Sequence, residues 1–375
     1  MPKQKLIYWI FILYSGLTII STYSYAQKET SKPLRVAVSG ITHGHVPWIL
    51  GRKDKKDIEL VGIYEPNKEL VLRYAAKYKL NKDLFYNDLA TMLDAVKPEA
   101  VVAFGSVLEH MAVVEAAAPR GIHVMVEKPL ATNLAHASRM QELAKKFNIH
   151  ILTNYETSWY PSIHKTYELV NDSNYVGNVN KVVVHAGHQG PKEIKVDQEF
   201  LDWLTDPVQN GGGALIDFGC YGASIMTWLM NGQMPVSVMA VTSQFKPAIY
   251  PIVDDDAIII VSYPNAQCII QASWNWPFNR KDIEVYGDKG FIITADDIRM
   301  KMKNQINQQE LILNKNPGTS LPEADPFTYL ADVIRAKVKV PEYGPYSLEN
   351  NLIVVRILEA ARESAKTGKS IYINQ

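Results

Sequence analysis

The sequence predicts two fold classes in series: a doubly wound parallel α/β sheet, then an open, mostly antiparallel α+β sheet with helices on one face. Three observations carry this expectation. The run Leu34 to Ser39 (L-R-V-A-V-S) enters a glycine-containing turn, Gly40-Ile41-Thr42-His43-Gly44-His45, and then a helical segment, which is the opening of a strand–turn–helix unit. Short β-branched runs then alternate with amphipathic segments as far as Asn154. From Trp159 onward the runs instead alternate apolar and polar residues with a period of two, as in sheets with one buried face.

Taken in order, the strand Leu34–Ser39 is followed by a helix over Val46–Leu50, the strand Ile58–Tyr64 and the helix Lys68–Lys79. The spacing then predicts a short strand over Leu84–Tyr86, a helix over Asp88–Val96 and a strand over Ala100–Phe104. A helix opens at His110, shows its apolar face through Met111, Val114 and Ala118, and is closed by Gly121. The apolar run from His123 to Val126 stops on Glu127-Lys128-Pro129, because proline can neither continue a ladder nor tolerate a helical residue before it. A helix over Leu134–Phe147 and a strand over Ile149–Asn154 complete a sheet of about six strands. The second region opens with a helix over Pro161–Val170. Six alternating runs follow: Val179–Ala186, Val236–Phe245, Ala257–Tyr263, Cys268–Trp274, Lys281–Gly287 and Gly290–Ala295. Helices over Pro326–Lys337 and Leu348–Thr367 end the chain. The expected division is residues 33–153 and 154–375.

The chain has 375 residues, 47% of them hydrophobic, enough for about two domains with sizeable cores. Its 39 basic and 39 acidic residues balance, so neither nucleic acid nor an acidic membrane surface is an expected partner. Cys220 and Cys268 have no metal-ligand spacing and read as buried thiols. Lys3 and Lys5 precede the apolar run Leu6–Ile20, and Ser24-Tyr25-Ala26 before Gln27 has the small-x-small form of a cleavage site. Export to the periplasm is therefore expected, with residues 1–26 removed and no membrane association afterwards; an uncleaved membrane anchor is the alternative.

In an open α/β sheet ligands gather at the carboxyl ends of the strands. Four loops fall there. Gly40, Thr42, His43, Gly44 and His45 form a degenerate version of the dinucleotide turn, with threonine and histidine where the second and third glycines of the usual pattern stand. Glu65 ends the second strand about 25 residues after Gly40, the place of an acid that holds a ribose diol. Pro66 and Asn67 follow it rather than a cation, so NAD is expected over NADP. Gly105, Ser106 and His110 follow the Ala100–Phe104 strand, and Glu127 and Lys128 end the next one. An ammonium at such an edge can polarise a carbonyl or hold a hydroxyl being oxidised. Downstream, Gly211-Gly212-Gly213 lets backbone approach a ligand, and Asp217 and Tyr221, spaced i, i+4, share a helix face. Lys128, Asp217 and Tyr221 are the candidate catalytic residues, the ammonium being expected to lower the phenol's pKa. Tyr155, Trp159, His188, Trp274 and Asn275 are candidate substrate-facing residues, since aromatic faces pack on apolar rings and amides bond hydroxyls. No metal site is expected: His185, His188 and Gln189 read as a solvated loop, and Asp254 to Asp256 as an acidic turn.

The Glu127-Lys128-Pro129 turn, the order W-L-T-D-P then G-G-G-A-L-I-D-F-G-C-Y, the Asp254-Asp255-Asp256 turn and the closing A-A-R-E-S-A-K-T-G-K-S together resemble the Gfo/Idh/MocA oxidoreductases from about Leu34 to Ile373. The resemblance implies a Rossmann domain, an open-faced α+β domain, a nicotinamide cofactor and a sugar or cyclitol bound between them. It matches Lys128 to the family's catalytic lysine and Asp217 to its substrate-facing acid. Tyr221 stands where many members have histidine and one branch has tyrosine. The function so implied is an exported NAD(P)-dependent carbohydrate oxidoreductase with a tightly held cofactor. A redox-neutral NAD-dependent glycosidase and a non-catalytic sugar-binding protein are the rival readings. The exposed face of the antiparallel sheet offers a surface for a homo-oligomer.

Overall fold

Leu34–Ser39 (β1), Pro47–Leu50 (α1), Ile58–Tyr64 (β2), Lys68–Tyr78 (α2), Phe85–Tyr86 (β3), Leu89–Val96 (α3), Ala100–Ala103 (β4), His110–Ala117 (α4), His123–Glu127 (β5), Leu134–Phe147 (α5) and Ile151–Asn154 (β6) alternate along the first part of the computed structural model. The structure describes residues 32–53, 55–305, 309–314 and 325–373, so the expected leader, residues 1–26, lies outside the described residues. All strand pairings here are parallel, in the order β3-β2-β1-β4-β5-β6. Side-chain caps set the helix starts: Asn67 for α2, Asp88 for α3 and Asn133 for α5 each accept backbone N–H groups of the first turn. β4 is buried along its whole length, and helices cover both faces of the sheet. Strand order reverses between β1 and β4, and the turns after β1, β4 and β5 converge beside that crevice. The helix expected over Val46–Leu50 is a single turn opened by Pro47.

The second sheet is built from Val179–Gly187 (β7), Ser237–Ser243 (β8), Asp256–Ser262 (β9), Gln267–Ser273 (β10), Arg280–Gly287 (β11), Phe291–Thr294 (β12), Met300–Lys303 (β13), Leu311–Leu313 (β14) and Ile371–Tyr372 (β15). Its helices are Pro161–Tyr167 (α6), Gln198–Leu204 (α7), Ala214–Leu229 (α8), Pro326–Ile334 (α9) and Leu348–Thr367 (α10). The order is β14-β13-β12-β11-β7-β10-β9-β8-β15, with only β7 and β10 pairing parallel. One face is covered by α8, which is buried over its full length and approaches the sheet so closely that a Cβ on Gly222 would lie 2.7 Å from Ile270. The other face leaves Met239, Val241 and Ile258 40%, 59% and 46% exposed. α9 returns to the parallel sheet, where Phe327 and Leu330 join the cluster that contains Leu34 and Val36. The sequence reading omitted α7, β13, β14 and β15. All are short, and the three strands lie at or next to the sheet's edges, where pairing to a neighbour rather than local pattern makes the strand.

The acidic turn has a structural task. Asp254 accepts from Gly213 N at 3.0 Å and Leu215 N at 2.7 Å, and its carbonyl accepts from Ala214 N at 3.0 Å, so a residue 39 positions away caps the start of α8. Gly213 is obligatory there, since a Cβ would sit 1.9 Å from the Asp254 carbonyl oxygen. Asp254→Ala is expected to lower stability by about 1–2 kcal/mol, read as an earlier urea midpoint with an unchanged m-value; an unmoved midpoint would remove the capping role.

Candidate active site

β5 delivers Lys128 to the carboxyl edge of the parallel sheet, where the Lys128–Pro129 peptide bond is cis. The lysine is buried and ion-paired with Asp217 on α8, and its Nζ also donates to the Asp217 carbonyl at 3.2 Å. Burial alone would strip the lysine of its proton and the aspartate of its charge. Their attraction outweighs that penalty: the Lys128 pKa is held above its ordinary value and the Asp217 pKa below its own. The second aspartate oxygen accepts from Trp274 Nε1 at 2.9 Å.

Several of the candidate ligand-facing side chains make contacts within the protein. Trp274 is fully buried and packs on Tyr250, so it orients Asp217 rather than offering its face to a sugar. Asn275 turns inward and donates to Asp255 through both the carbonyl and the carboxylate. Tyr155 is buried, with its hydroxyl on Asn351 at 2.9 Å. Trp159 stacks on Tyr346 and donates to Asn154 at 2.8 Å. The polar atoms of Trp274, Tyr155 and Trp159 are satisfied inside the protein, as is the amide N–H group of the half-buried Asn275. Asp217 likewise has both oxygens engaged, so its geometry orients the lysine rather than a sugar.

Tyr221 lies one turn after Asp217, with the Lys128 and Lys281 ammonium groups 5.4 and 5.3 Å from its ring centroid. The expected lowering of its pKa does not occur. Burial raises it well above 10, and Glu156 and other acidic neighbours add to the rise; the nearby ammonium is already neutralised by Asp217. Lys281, from β11, is ion-paired with Glu156 in the turn after β6, and Glu156 also accepts from the Tyr160 hydroxyl at 2.5 Å. Neither Lys281 nor Glu156 was singled out in the sequence, where nothing shows that β11 pairs with β7 in the register that sets Lys281 opposite Ala186. His188, just after β7, sets its ring against Phe218 at 4.9 Å, accepts from Gly190 N, and is driven by burial to a pKa of about 4.

The turn after β1 lies beside this pair. Gly40, at φ +75°, passes so close to the next strand's turn that a Cβ would lie 2.9 Å from Gly105 N. Glu65 is buried and accepts from Ile41 N at 3.2 Å and Asn67 N at 2.9 Å. Together with Thr42, Gly105, Glu109 and His110 they line a cavity of about 150 Å³. Glu109, absent from the sequence reading, accepts from Ser106 N at 2.7 Å. Three N–H groups of the turn point inward: Ile41 to Glu65, His43 to the Phe104 carbonyl, and His45 to His43 Nδ1. Thr42 accepts from Trp203 Nε1 at 3.1 Å, and Phe200 packs on Gly44, so α7 covers the turn. His43 and His110 are buried and held neutral by burial, and the Nε2 of each has no hydrogen-bond partner among the described residues. His45 Nδ1 lies 3.0 Å from Glu127 Oε2, and Glu127 Oε1 accepts from Asn154 at 2.8 Å. This set suits a dinucleotide: a glycine-walled cavity, a carboxylate at one end, and unpartnered imidazole nitrogens nearby.

The family model described as an oxidoreductase family with an NAD-binding Rossmann fold matches residues 34–155, and that of the GFO/IDH/MocA C-terminal domain matches residues 164–293. Trans-1,2-dihydrobenzene-1,2-diol dehydrogenase of Xenopus tropicalis is 25% identical over 54% of the chain and 57% of its own length. The chain thus spans little more than half of that relative. D-xylose 1-dehydrogenase (NADP+) of Haloarcula marismortui is 22% identical over 93% of the chain and 95% of its length. Among solved structures, the inositol dehydrogenase homolog complexed with NAD+ from Azotobacter vinelandii superposes with a TM-score of 0.78 at 18% identity, covering 92% of this chain and 99% of its own.

Removing one member of the buried pair should be far worse than removing both. Asp217→Asn, which strands the ammonium, is expected to cost about 3–5 kcal/mol in chemical denaturation, and Lys128→Met combined with Asp217→Leu to recover most of that loss. A fully stable Asp217→Asn protein would show that the lysine does not need its partner.

Proposed function

Because the chain belongs to the Gfo/Idh/MocA oxidoreductase family, we propose that it is an NAD-dependent oxidoreductase acting at a secondary alcohol or lactol carbon of a sugar or cyclitol. One observation carries this reading: a buried, charged Lys128–Asp217 pair stands beside Tyr221, at the strand edge that also holds the glycine-walled cavity. The names of the relatives specify a xylose and a dihydrodiol, both of which bear secondary alcohols.

Glu65 would hold the ribose diol, Gly40 and Gly105 would admit the pyrophosphate closely, and the groove formed by Pro66, Val71, Leu72 and Tyr86 would take the adenine. When bound, NAD supplies the two-electron acceptor. Lys128, aimed by Asp217, donates to the substrate oxygen and stabilises the charge that grows as its proton leaves. Tyr221, kept a neutral phenol by burial, can donate its O–H to the substrate oxygen. Lys281 and Glu156 offer a donor and an acceptor to neighbouring hydroxyls, and because each ammonium has a carboxylate partner the site suits a neutral polyol.

NAD is preferred over NADP because a 2′-phosphate would meet the Glu65 carboxylate. At a hundredfold excess over its Kd, NAD should stabilise the protein by about 2.7 kcal/mol, and Glu65→Ala should weaken NAD much more than NADP. Absence of a thermal shift with either nucleotide, in protein shown to be free of bound cofactor, would sink the reading. Products formed from free sugars and from glycosides separate a net oxidation from a redox-neutral cleavage.

The apolar run after Lys3 and Lys5 supports export with cleavage after Ala26, and the exposed Met239, Val241 and Ile258 support a homo-oligomer through the second sheet. No helix of the described residues is long and apolar enough to cross a membrane. Protein recovered from the periplasm of an expressing cell is expected to begin at Gln27 and to sediment as an oligomer that Val241→Lys dissociates. An intact leader or a monomer would contradict the respective half of this expectation.

A further inference from the structure

Two ammonium groups meet at the Tyr221 ring, Lys128 at 5.4 Å from its centroid and Lys281 at 5.3 Å. Lys128 arrives from a strand end of the parallel sheet, whereas Lys281 is the second residue of β11 in the other sheet. The period of two sets its direction. Lys281 shares a face of β11 with the buried Ile283 and Val285, while Asp282 turns the other way and meets His185 at 3.0 Å. A lysine on the row that points into the core needs a counter-charge, and Glu156, from the turn after β6, supplies it. Arg280, one residue before Lys281, is already committed, since Asp282 accepts from its guanidinium at 2.9 and 2.7 Å.

The two ion pairs differ in how firmly the acid is held. Asp217 lies in a fully buried helix with a side chain 5% exposed, and its second oxygen accepts from Trp274. Glu156 sits in a turn, its side chain is 30% exposed, and its second oxygen accepts from the Tyr160 hydroxyl at 2.5 Å. The outer pair is therefore the one that a ligand can meet. Because both ammonium groups lie against one ring, a polyol held at Lys128 by one hydroxyl brings its other substituents toward Lys281. Glu156 already occupies the place beside that ammonium that a carboxylate substituent would take. It repels a second carboxylate, yet hydroxyl groups, which both donate and accept, can bind next to it.

We propose that Glu156 is the charge-selecting residue of the substrate site: paired with Lys281, it admits uncharged sugars and cyclitols and turns away those that carry a carboxylate. The inference rests on the oxidoreductase reading and deepens it at one residue. Replacing Glu156 by glutamine frees the ammonium while keeping an oxygen for the Tyr160 hydroxyl. The freed Lys281 then holds the carboxylate of a sugar acid by the same charge-assisted hydrogen bond that it now makes to Glu156. Lys128 offers no such exchange, because its partner is sealed and engaged through both oxygens. The other use for such a pair is a clamp that joins the turn after β6 to β11. Loss of a clamp lowers stability but leaves the choice of ligand where it was.

Binding decides between the two uses without any turnover. The affinities of myo-inositol and D-glucuronate are measured by calorimetry, with and without NAD, for the wild type, for Glu156→Gln and for Glu156→Gln combined with Lys281→Met. A thermal melt first shows that each protein is folded. The wild type should hold myo-inositol more tightly than D-glucuronate. Glu156→Gln should move the ratio of the two affinities toward D-glucuronate by about tenfold or more, and Lys281→Met should cancel that gain. D-glucuronate should also raise the melting temperature of Glu156→Gln above its value in sodium chloride of equal concentration. A Glu156→Gln protein that takes up D-glucuronate no better than the wild type overturns the proposal, and so does a gain that survives the loss of Lys281. A wild type that prefers D-glucuronate overturns it as well, whether or not the variants fold. Failure of the oxidoreductase reading shows elsewhere, as the absence of nucleotide binding, and the ratio is then read from the nucleotide-free protein.

Discussion

An ammonium with no access to water must have a counter-charge, and that constraint ties this molecule together at Lys128 and Asp217. The lysine ends a strand of the parallel sheet, and the aspartate belongs to the helix buried against the second sheet, so the pair sets the distance between the two halves. The surroundings follow from keeping the aspartate still. Trp274 holds its second oxygen, Asp254 caps the helix that carries it, and Gly213 leaves room for that cap.

The same logic explains the unusual turn after the first strand. A glycine-rich dinucleotide turn usually directs its N–H groups outward at the head of a long helix. Here three of those groups are used internally, and the helix that follows is a single turn. The imidazole of His45 stands at the third glycine position, beside that of His43. His43 accepts the backbone N–H of His45, and the His45 ring lies against the Glu127 carboxylate. Threonine at the second glycine position is matched by Trp203, whose indole N–H it accepts. The departures from the glycine pattern are thus coupled to one another across the chain.

Much of this was legible in the sequence, because hydrophobic period and turn chemistry are local. The six parallel strands, the placement of Lys128 at a strand end and the helical spacing of Asp217 and Tyr221 all follow from neighbours a few residues apart. The side chains whose inward partners the sequence does not show share a different property. Trp274, Asn275, Tyr155 and Trp159 are amphipathic, and only long-range partners decide whether such a residue faces a ligand or supports one that does. Lys281 and Glu156 were missed for the converse reason: they meet across 125 positions, through a strand register that no local pattern encodes. The phenol's pKa was misjudged because the sequence shows an ammonium nearby but neither its partner nor the depth of burial.

Whether the two halves meet around a nicotinamide is open to direct measurement. The proposed export would place the enzyme where free nucleotide is scarce, so the reading requires that it hold its cofactor through purification. The mature protein, purified without added nucleotide and then denatured, is expected to release a nicotinamide nucleotide in stoichiometric amount, identifiable by absorbance, fluorescence and mass. Protein that releases none, and that takes up none when refolded with NAD, would contradict the account at its centre.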